Sequence, residues 1–479
     1  MPARRSHVHP SSVTDELAAS LAALRTRLEL PGEYPAEALA EAERVAQGPA
    51  VDGSDDARED LTGLDFHTID PPTSRDLDQA LHLAREGDGF VVHYAIADLA
   101  AFVAPGGALD AEVRRRGQTI YAPDGAVPLH PESLSHGAAS LLPDERRRAY
   151  VWRIALDAEG VRGDVRLTRA WVRSRRQWSY DEAQKEIDAG TAPDEVALLA
   201  TIGPLRIARE AARGGASLNL PEEEIVEVDG GYELQRRAGL PVEDWNAQIS
   251  LMTGMAAADI MLAAGVGILR TLPPADADAL AEFRMKTRAL GVPWPEEQNY
   301  GEYLRSLDPA APGTAAIMVA ATVLFRGAAY EPFDGAPPAQ TEQAAIGAPY
   351  AHTTAPLRRL VDRWSLAICE AAANGREVPA WARESLGELP GIMQTTGALA
   401  SRVENGAVDR IEAAALVGRT SEEFEATVVA ETKGGVRVQL TDPFVTAVVA
   451  AEAQPGTVVR VRVESADIAE GTVALALVG

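Results

Sequence analysis

Residues 68 to 80 read TIDPPTSRDLDQA and place three aspartates, Asp70, Asp76 and Asp78, close together in the chain. In an extended segment residues two apart share a face, so Asp76 and Asp78 point one way and Leu77 the other. The Pro-Pro pair after Asp70 is a turn that brings its carboxyl back beside them. Carboxylates within about 4 Å of one another repel by roughly 4 kcal/mol per pair at an effective dielectric of about 20, so a cation belongs among them. Hard oxygen ligands favour Mg²⁺, with Mn²⁺ the alternative; an EF-hand does not fit, because its glycine and terminal glutamate are missing. A divalent site of this kind activates a water and stabilises a phosphoryl transition state, which makes phosphodiester hydrolysis the leading chemistry. The competing reading makes the three residues turn and capping aspartates beside Arg75.

The 479 residues are 46% hydrophobic and 24% charged, enough for large cores and, by length, for more than one domain. No apolar run reads as long enough to span a bilayer, and the N-terminus MPARRSHVHPSS lacks the apolar stretch of a secretory signal. A cytoplasmic location without membrane contact is expected. The single cysteine, Cys369, excludes an internal disulfide and multi-cysteine zinc sites, leaving oxygen or histidine ligands for any metal. A net charge of -26 argues against a protein that coats nucleic acid non-specifically, although it leaves room for a local basic channel. Arginines do cluster, at 114–116, 146–148, 173–176 and 358–359, and with only three lysines in the chain nearly every cation is a guanidinium fork suited to phosphate oxygens.

Periodicity divides the chain. Residues 11 to 47 read as two helices, with Leu17, Leu21, Leu24 and Leu28 on one face of the first. From about 61 to 175 the pattern is extended, as in FVVHYAIADLAAFV and RAYVWRIALD. Residues 181–213 and 243–411 are mainly helical in pattern, for example NAQISLMTGMAAADIMLAAGVGIL. After VGRTSEE come five short β runs with the size and rhythm of an OB-type barrel. The fold class is α+β.

Four stretches in order, TIDPPTSRDLDQA, VHYAIADLAAFV, TIYAPDGAVPLHPESLSHGAASLLPDERRRA and YAHTTAPLRRLVD, resemble the ordered motifs of the RNase II and RNase R exoribonucleases across roughly residues 61 to 411. The resemblance implies an RNB-type core that hydrolyses single-stranded RNA processively from its 3′ end, with a divalent metal, releasing nucleoside 5′-monophosphates. On that pattern Asp70, Asp76 and Asp78 fall on the acidic positions that hold magnesium and the terminal nucleotide. Arg358 falls on the arginine that stabilises the scissile phosphate, a role a fixed guanidinium suits; its alternative partner is Asp362. Tyr121 matches a tyrosine that stacks on a base near the 3′ end, an interaction worth about 1–3 kcal/mol per base. The second aromatic of that clamp, expected in GASLNLPEEE, is replaced by Leu218 and Leu220. Where the family ends its acidic motif with two successive aspartates, Asp78 is followed by Gln79, which offers a metal a carbonyl oxygen but no charge. Another carboxylate is then recruited, or metal binds only together with substrate phosphate, or activity is lost and an RNA-binding protein of the same fold remains.

The expected organisation is a helical, helix-turn-helix-like module (1–60), an RNB-type catalytic domain (61–411) and a C-terminal OB-fold β-barrel (420–479). The family's two N-terminal cold-shock barrels have no counterpart in some sixty helical residues, so stalling at stable duplexes is expected. With Phe424 and Phe444 the only aromatics of the barrel, RNA contacts there fall to Arg437, Arg460 and Arg462; Arg359 is a further RNA-binding candidate beside Arg358. His93 and His352 read as structural. The expected state is a monomer whose partner is single-stranded RNA, with no protein partner implied; a phosphoesterase acting on small molecules is a rival reading.

Overall fold

Helices α1 (Ser11–Arg27) and α2 (Ala36–Gln47) form the start of the chain in the computed structural model, which describes residues 5–6, 11–216, 222–228, 231–237, 239–308 and 314–478. The spacing of Leu17, Leu21 and Leu24 puts them on one face of α1, and each is at most 3% exposed. That face packs on Ala407, Ile411 and Ala414 of a long helix near the C-terminus. Each leucine so buried contributes about 1.5–3 kcal/mol. Helix α2 turns Ala38, Ala42 and Val45 inward, so the apolar faces of both helices serve as a packing layer.

The extended segments build one closed sheet. Strands β1 (Phe66–Ile69), β2 (Gln79–Glu86) and β3 (Gly89–Ala97) are followed by helix α3 (Ala108–Arg116), then β4 (Arg146–Leu156) and β5 (Arg162–Trp178). The long β5 pairs antiparallel with β4 from Arg162 to Arg173 and parallel with β1 from Ser174 to Trp178. The order β5-β1-β2-β3-β4 therefore returns to β5. Helices and loops cover the sheet, and every residue of β3 except His93 is buried. Burial on both faces explains why GFVVHYAIA lacks polar alternation.

Helices α4 (Leu199–Ala212) and α5 (Pro241–Ala264) follow. The helical pattern of NAQISLMTGMAAADIMLAAGVGIL breaks before its end. Gly265 takes a left-handed φ of 70° as the cap, and the β-branched VGILRT beyond it forms β6 (Val266–Thr271), paired with β7 (Ala329–Asp334). One expectation needs correction: among the described residues α5 is, by length and composition, apolar enough to cross a membrane. Its Ile249, Met252, Ala256 and Met261 are at most 1% exposed inside the main core, which accounts for that apolarity.

Helix α6 (Leu360–Ala373) is buried along most of its length, and α7 (Leu389–Leu416) leads to the C-terminal strands. These are β8 (Glu423–Thr432), β9 (Gly435–Leu440), β10 (Thr446–Val449), β11 (Val458–Asp467) and β12 (Thr472–Leu477), in the order β10-β9-β8-β11-β12. The edge strands β10 and β12 lie side by side, giving a near-closed five-stranded barrel. Phe424, Ala426 and Val428 of β8 alternate into its core.

Candidate active site

The acidic segment bridges β1 and β2. Asp70 is the first residue beyond β1, and its N–H donates to the carbonyl of Trp178 at the end of β5, 3.0 Å away. Asp78 immediately precedes β2, and its carbonyl accepts the Ala97 N–H at 2.9 Å. Between them Leu77 is fully buried; its N–H donates to Ser140 Oγ at 3.0 Å, and that hydroxyl donates to the Arg75 carbonyl at 2.6 Å. The loop is thereby pinned from both strand ends and from its middle.

Asp78 is 1% exposed with both carboxylate oxygens engaged. Oδ1 accepts the Leu357 N–H and Oδ2 accepts the Arg358 Nε–H, each at 2.7 Å. Burial pushes its carboxyl up to about 6, while the Arg358 charge and both hydrogen bonds pull the other way. Asp70 stands differently: among the described residues its carboxylate has no hydrogen-bond or ion-pair partner. Burial above all, with the Asp78 and Asp76 charges adding, lifts it to about 7 against the pull of Arg358. A partly buried carboxylate with anionic neighbours and no hydrogen-bond partner among the described residues fits a hard divalent cation. The site is not a finished cage, however. Among the described residues no three His, Cys, Asp or Glu side chains gather closely enough to hold a metal, because Asp78 is turned onto the 355–359 loop.

Gln79 has a task other than the metal ligation expected of it. Its Nε2 donates to the Thr354 carbonyl at 2.5 Å, and its Oε1 accepts from the Tyr94 hydroxyl at 2.9 Å. A carboxylate there would accept from Tyr94 and have nothing to donate to Thr354. Residues 78 and 79 together therefore staple Thr354, Leu357 and Arg358 to the start of β2. Arg359, expected on RNA, also has a partner within the protein while lining a cleft with Tyr121. Its guanidinium forms a bidentate pair with Asp362 at 3.0 and 2.8 Å, and Asp362 also accepts the Ala355 N–H at 2.7 Å. Arg359 thus shapes the loop, whereas Arg358, with a side chain 38% exposed, projects from it.

Tyr121 completes the arrangement. It is 54% exposed, and its hydroxyl donates to Asp76 Oδ2 at 3.1 Å. The Thr119 N–H donates to the Arg358 carbonyl at 2.9 Å, so the segments carrying ring and guanidinium run side by side. Both line one cleft of about 540 Å³, together with Thr119, Arg359 and Glu404.

Arg437 and Arg460 lie elsewhere, on the outer face of the C-terminal barrel; Arg460 and Arg462 flank Glu423 at 3.3 and 2.8 Å. Leu218 and Leu220 fall outside the described residues. His352 Nδ1 meets the Tyr330 hydroxyl at 2.7 Å and burial holds it well below its ordinary range, while burial brings His93 down to about 4. Both are neutral groups at physiological pH.

Residues 58–372 match the model of the RNB domain, more than half of the chain. The chain belongs to the RNB domain family. Residues 422–478 of this RNB chain match the RNase II-type exonuclease C-terminal S1 domain, which covers β8 to β12. Over 161 residues the RNB chain is 35% identical to exoribonuclease 2 of Yersinia pestis (strain Pestoides F), a stretch that makes up 33% of this chain and 25% of that protein. The same figures hold for exoribonuclease 2 of Yersinia pseudotuberculosis (strain YPIII). Among solved structures, Mycoplasma genitalium RNase R in complex with ribose methylated single-stranded RNA matches with a TM-score of 0.86 at 19% identity, over 97% of this chain and 78% of that one. Yeast Ssd1, a pseudonuclease, matches with a TM-score of 0.64 at 16% identity, over 81% of this chain and 49% of that one. At these identities the likeness is one of fold.

Sequence reasoning missed the partners that organise the site. Gln79 and Thr354 are 275 positions apart, and Asp78 and Leu357 are 279 apart. No local pattern links them.

Proposed function

We propose that this RNB chain degrades single-stranded RNA processively from its 3′ end to nucleoside 5′-monophosphates. The observation that carries the reading is that the acidic segment holds both functional groups of one cleft, Asp76 the exposed Tyr121 through its hydroxyl and Asp78 the Arg358 guanidinium. Tyr121 offers a face for an unpaired base. Arg358 is held through Nε by Asp78, which leaves its two Nη groups for phosphate oxygens, a preorganised stabiliser of charge developing in the transition state. Asp70 and Asp76 would hold Mg²⁺, or Mn²⁺, with substrate phosphate completing the ligand set, in keeping with the few protein ligands this ion commonly takes. When bound, the ion supplies charge neutralisation at the phosphate and acidification of a water. The same reading sets the chain in the cytoplasm as a monomer.

Chromatography of a digest of unstructured RNA with Mg²⁺ is expected to show nucleoside 5′-monophosphates as the main product from the earliest time points. Internal fragments, or equal cleavage of short phosphodiesters, would contradict the reading. A 3′ tail followed by a stable GC-rich duplex is expected to be trimmed up to the duplex; complete digestion of a blunt GC-rich duplex would overturn that part. The second reading, an RNA-binding protein with an impaired centre, draws on Gln79 and on the incomplete carboxylate cage. It requires bound RNA to stay intact with metal present.

Tyr121→Ala is expected to weaken RNA binding by about 1–3 kcal/mol, roughly 5- to 150-fold, in anisotropy titrations with EDTA. Tyr121→Phe keeps the ring and is expected to stay within about twofold. Equal loss in both variants would place the hydroxyl on Asp76, and not stacking, at the origin of the effect.

Asp70 is expected to take stability away from the metal-free protein as pH rises from about 4 to about 7, while His93 and His352 contribute with the opposite sign. Asp70 lies near 7 in the folded chain against 3.8 ordinarily, so across that window the folded state holds a proton that the unfolded state has shed. Stability from this group is full below the lower value and gone above the upper one, by at most about 4 kcal/mol. Mg²⁺ is therefore expected to raise the urea midpoint more at pH 8 than at pH 5.5, and Asp70→Asn to abolish the difference. A Mg²⁺ effect independent of pH would contradict this placement.

A further inference from the structure

A second cavity, of about 410 Å³, shares no lining residue with the cleft. Arg162, Arg206, Arg209 and Arg213 line it, and Asp259 is the only carboxylate among its lining residues. Arg206 and Arg209 sit on α4 with Arg213 just past its end, at helical spacing that puts the three on one side. Arg162 opens β5. In a chain of net charge -26 this is a local excess of cations, with Arg206 buried and the other three partly exposed.

Backbone carbonyls hold most of these groups. Arg206 is 3% exposed; its Nη1 donates to the Gly160 carbonyl at 2.8 Å, and its Nε is buried without a partner. Arg209 Nε donates to the Glu159 carbonyl at 3.0 Å and Arg213 Nε to the Ile346 carbonyl at 3.4 Å. Carbonyls orient a guanidinium without cancelling its charge. Arg162 pairs with Asp259 but leaves Nη1 buried and unpartnered. The other nearby carboxylate, Glu210, accepts from Gln248 at 2.5 Å. Burial and repulsion from Arg213, Arg162 and Arg209 bring Arg206 down to about 10, with Glu210 opposing. Cations so confined are unfavourable unless an anion joins them.

We propose that this cavity is a binding site for a small phosphate-bearing anion, either inorganic phosphate or the phosphate group of a nucleotide. Guanidinium forks match phosphate oxygens in bidentate geometry, and a volume of about 410 Å³ accommodates a small phosphate-bearing ligand.

Isothermal titration of the full chain at matched ionic strength tests the proposal, with inorganic phosphate and with AMP as probes. Arg209 and Arg213 are partly exposed, so the double variant Arg209→Gln, Arg213→Gln is expected to stay folded by thermal melting. One phosphate event retained in Arg358→Gln, and weakened at least tenfold in the double variant, is the expected result. Arg206→Gln is expected to weaken it as well. Equal affinity for the two probes supports a site for free phosphate; AMP at least tenfold tighter supports a nucleotide site. No binding in the native chain, or binding unchanged in the double variant, would overturn the proposal. A single-stranded RNA whose affinity falls tenfold in the double variant, with phosphate binding unchanged, would also overturn it and make the arginines part of an RNA path.

Discussion

Replacing Asp78 by asparagine is expected to lower mononucleotide release at least about a thousandfold while RNA binding stays within about tenfold. Asp78 accepts from both the Leu357 N–H and the Arg358 Nε–H at 2.7 Å in a site 1% exposed. Asparagine keeps one accepting oxygen and turns an NH₂ toward the other donor. Loss of a single preorganised donor to a transition state costs about a hundred- to a thousandfold in rate, and here the donor's anchor and its countercharge disappear together. Tyr121 is untouched, so the base platform remains. Asp78 is buried but the Arg358 side chain is 38% exposed, so the stability cost is expected to fall below the roughly 3–5 kcal/mol of a fully buried pair, and thermal melting must accompany the assay. Activity within tenfold of native in a folded Asp78→Asn would mean that Arg358 needs no anchor.

The second large effect runs against what the resemblance alone suggests. Gln79→Asp returns the acid that the family places after Asp78, yet it is expected to lower mononucleotide release by about 10- to 100-fold. The Gln79 amide donates to the Thr354 carbonyl at 2.5 Å and accepts from Tyr94 at 2.9 Å. Aspartate has no donor for Thr354 and sets negative charge against that carbonyl. Leaving a buried acceptor unpaired costs about 1–3 kcal/mol. The strain falls on the loop that presents Arg358. Gln79→Glu keeps the side-chain length and is expected to lose activity too, which separates the missing donor from reach. Higher activity with a lower Mg²⁺ requirement in Gln79→Asp would show that the position is a metal ligand after all.

Much of the fold was legible because local pattern dictates it. The leucine face of α1, the unbroken apolar run of β3 and the alternation in β8 each follow from how their faces are buried. Closure of the sheet was not legible, since it depends on β5 pairing with β4 along its first part and with β1 near its end. The end of α5 was missed because GVGIL continues the apolar pattern, and only the left-handed Gly265 halts it. At the site, residue types marked Asp70, Asp76, Asp78, Tyr121 and Arg358; Tyr121 and Arg358 line one cleft, and Asp76 and Asp78 hold them from behind through the Tyr121 hydroxyl and the Arg358 Nε–H. What residue types could not show is how neighbours divide their partners. Asp362 takes Arg359 and not Arg358, Asp78 takes Arg358, and Gln79 turns to Thr354 and Tyr94. Such pairings between segments far apart in the chain leave no mark on local periodicity.

The fold is compatible with activity and with its loss, as the likeness to a protein described as a pseudonuclease illustrates. A time course with 5′-labelled single-stranded RNA and Mg²⁺, run on the native chain and on Asp78→Asn, separates the two. Steady loss of full-length RNA to mononucleotides and a short end product is expected with the native chain, and bound but intact RNA with the variant. Intact RNA bound equally tightly by both would contradict the proposed activity.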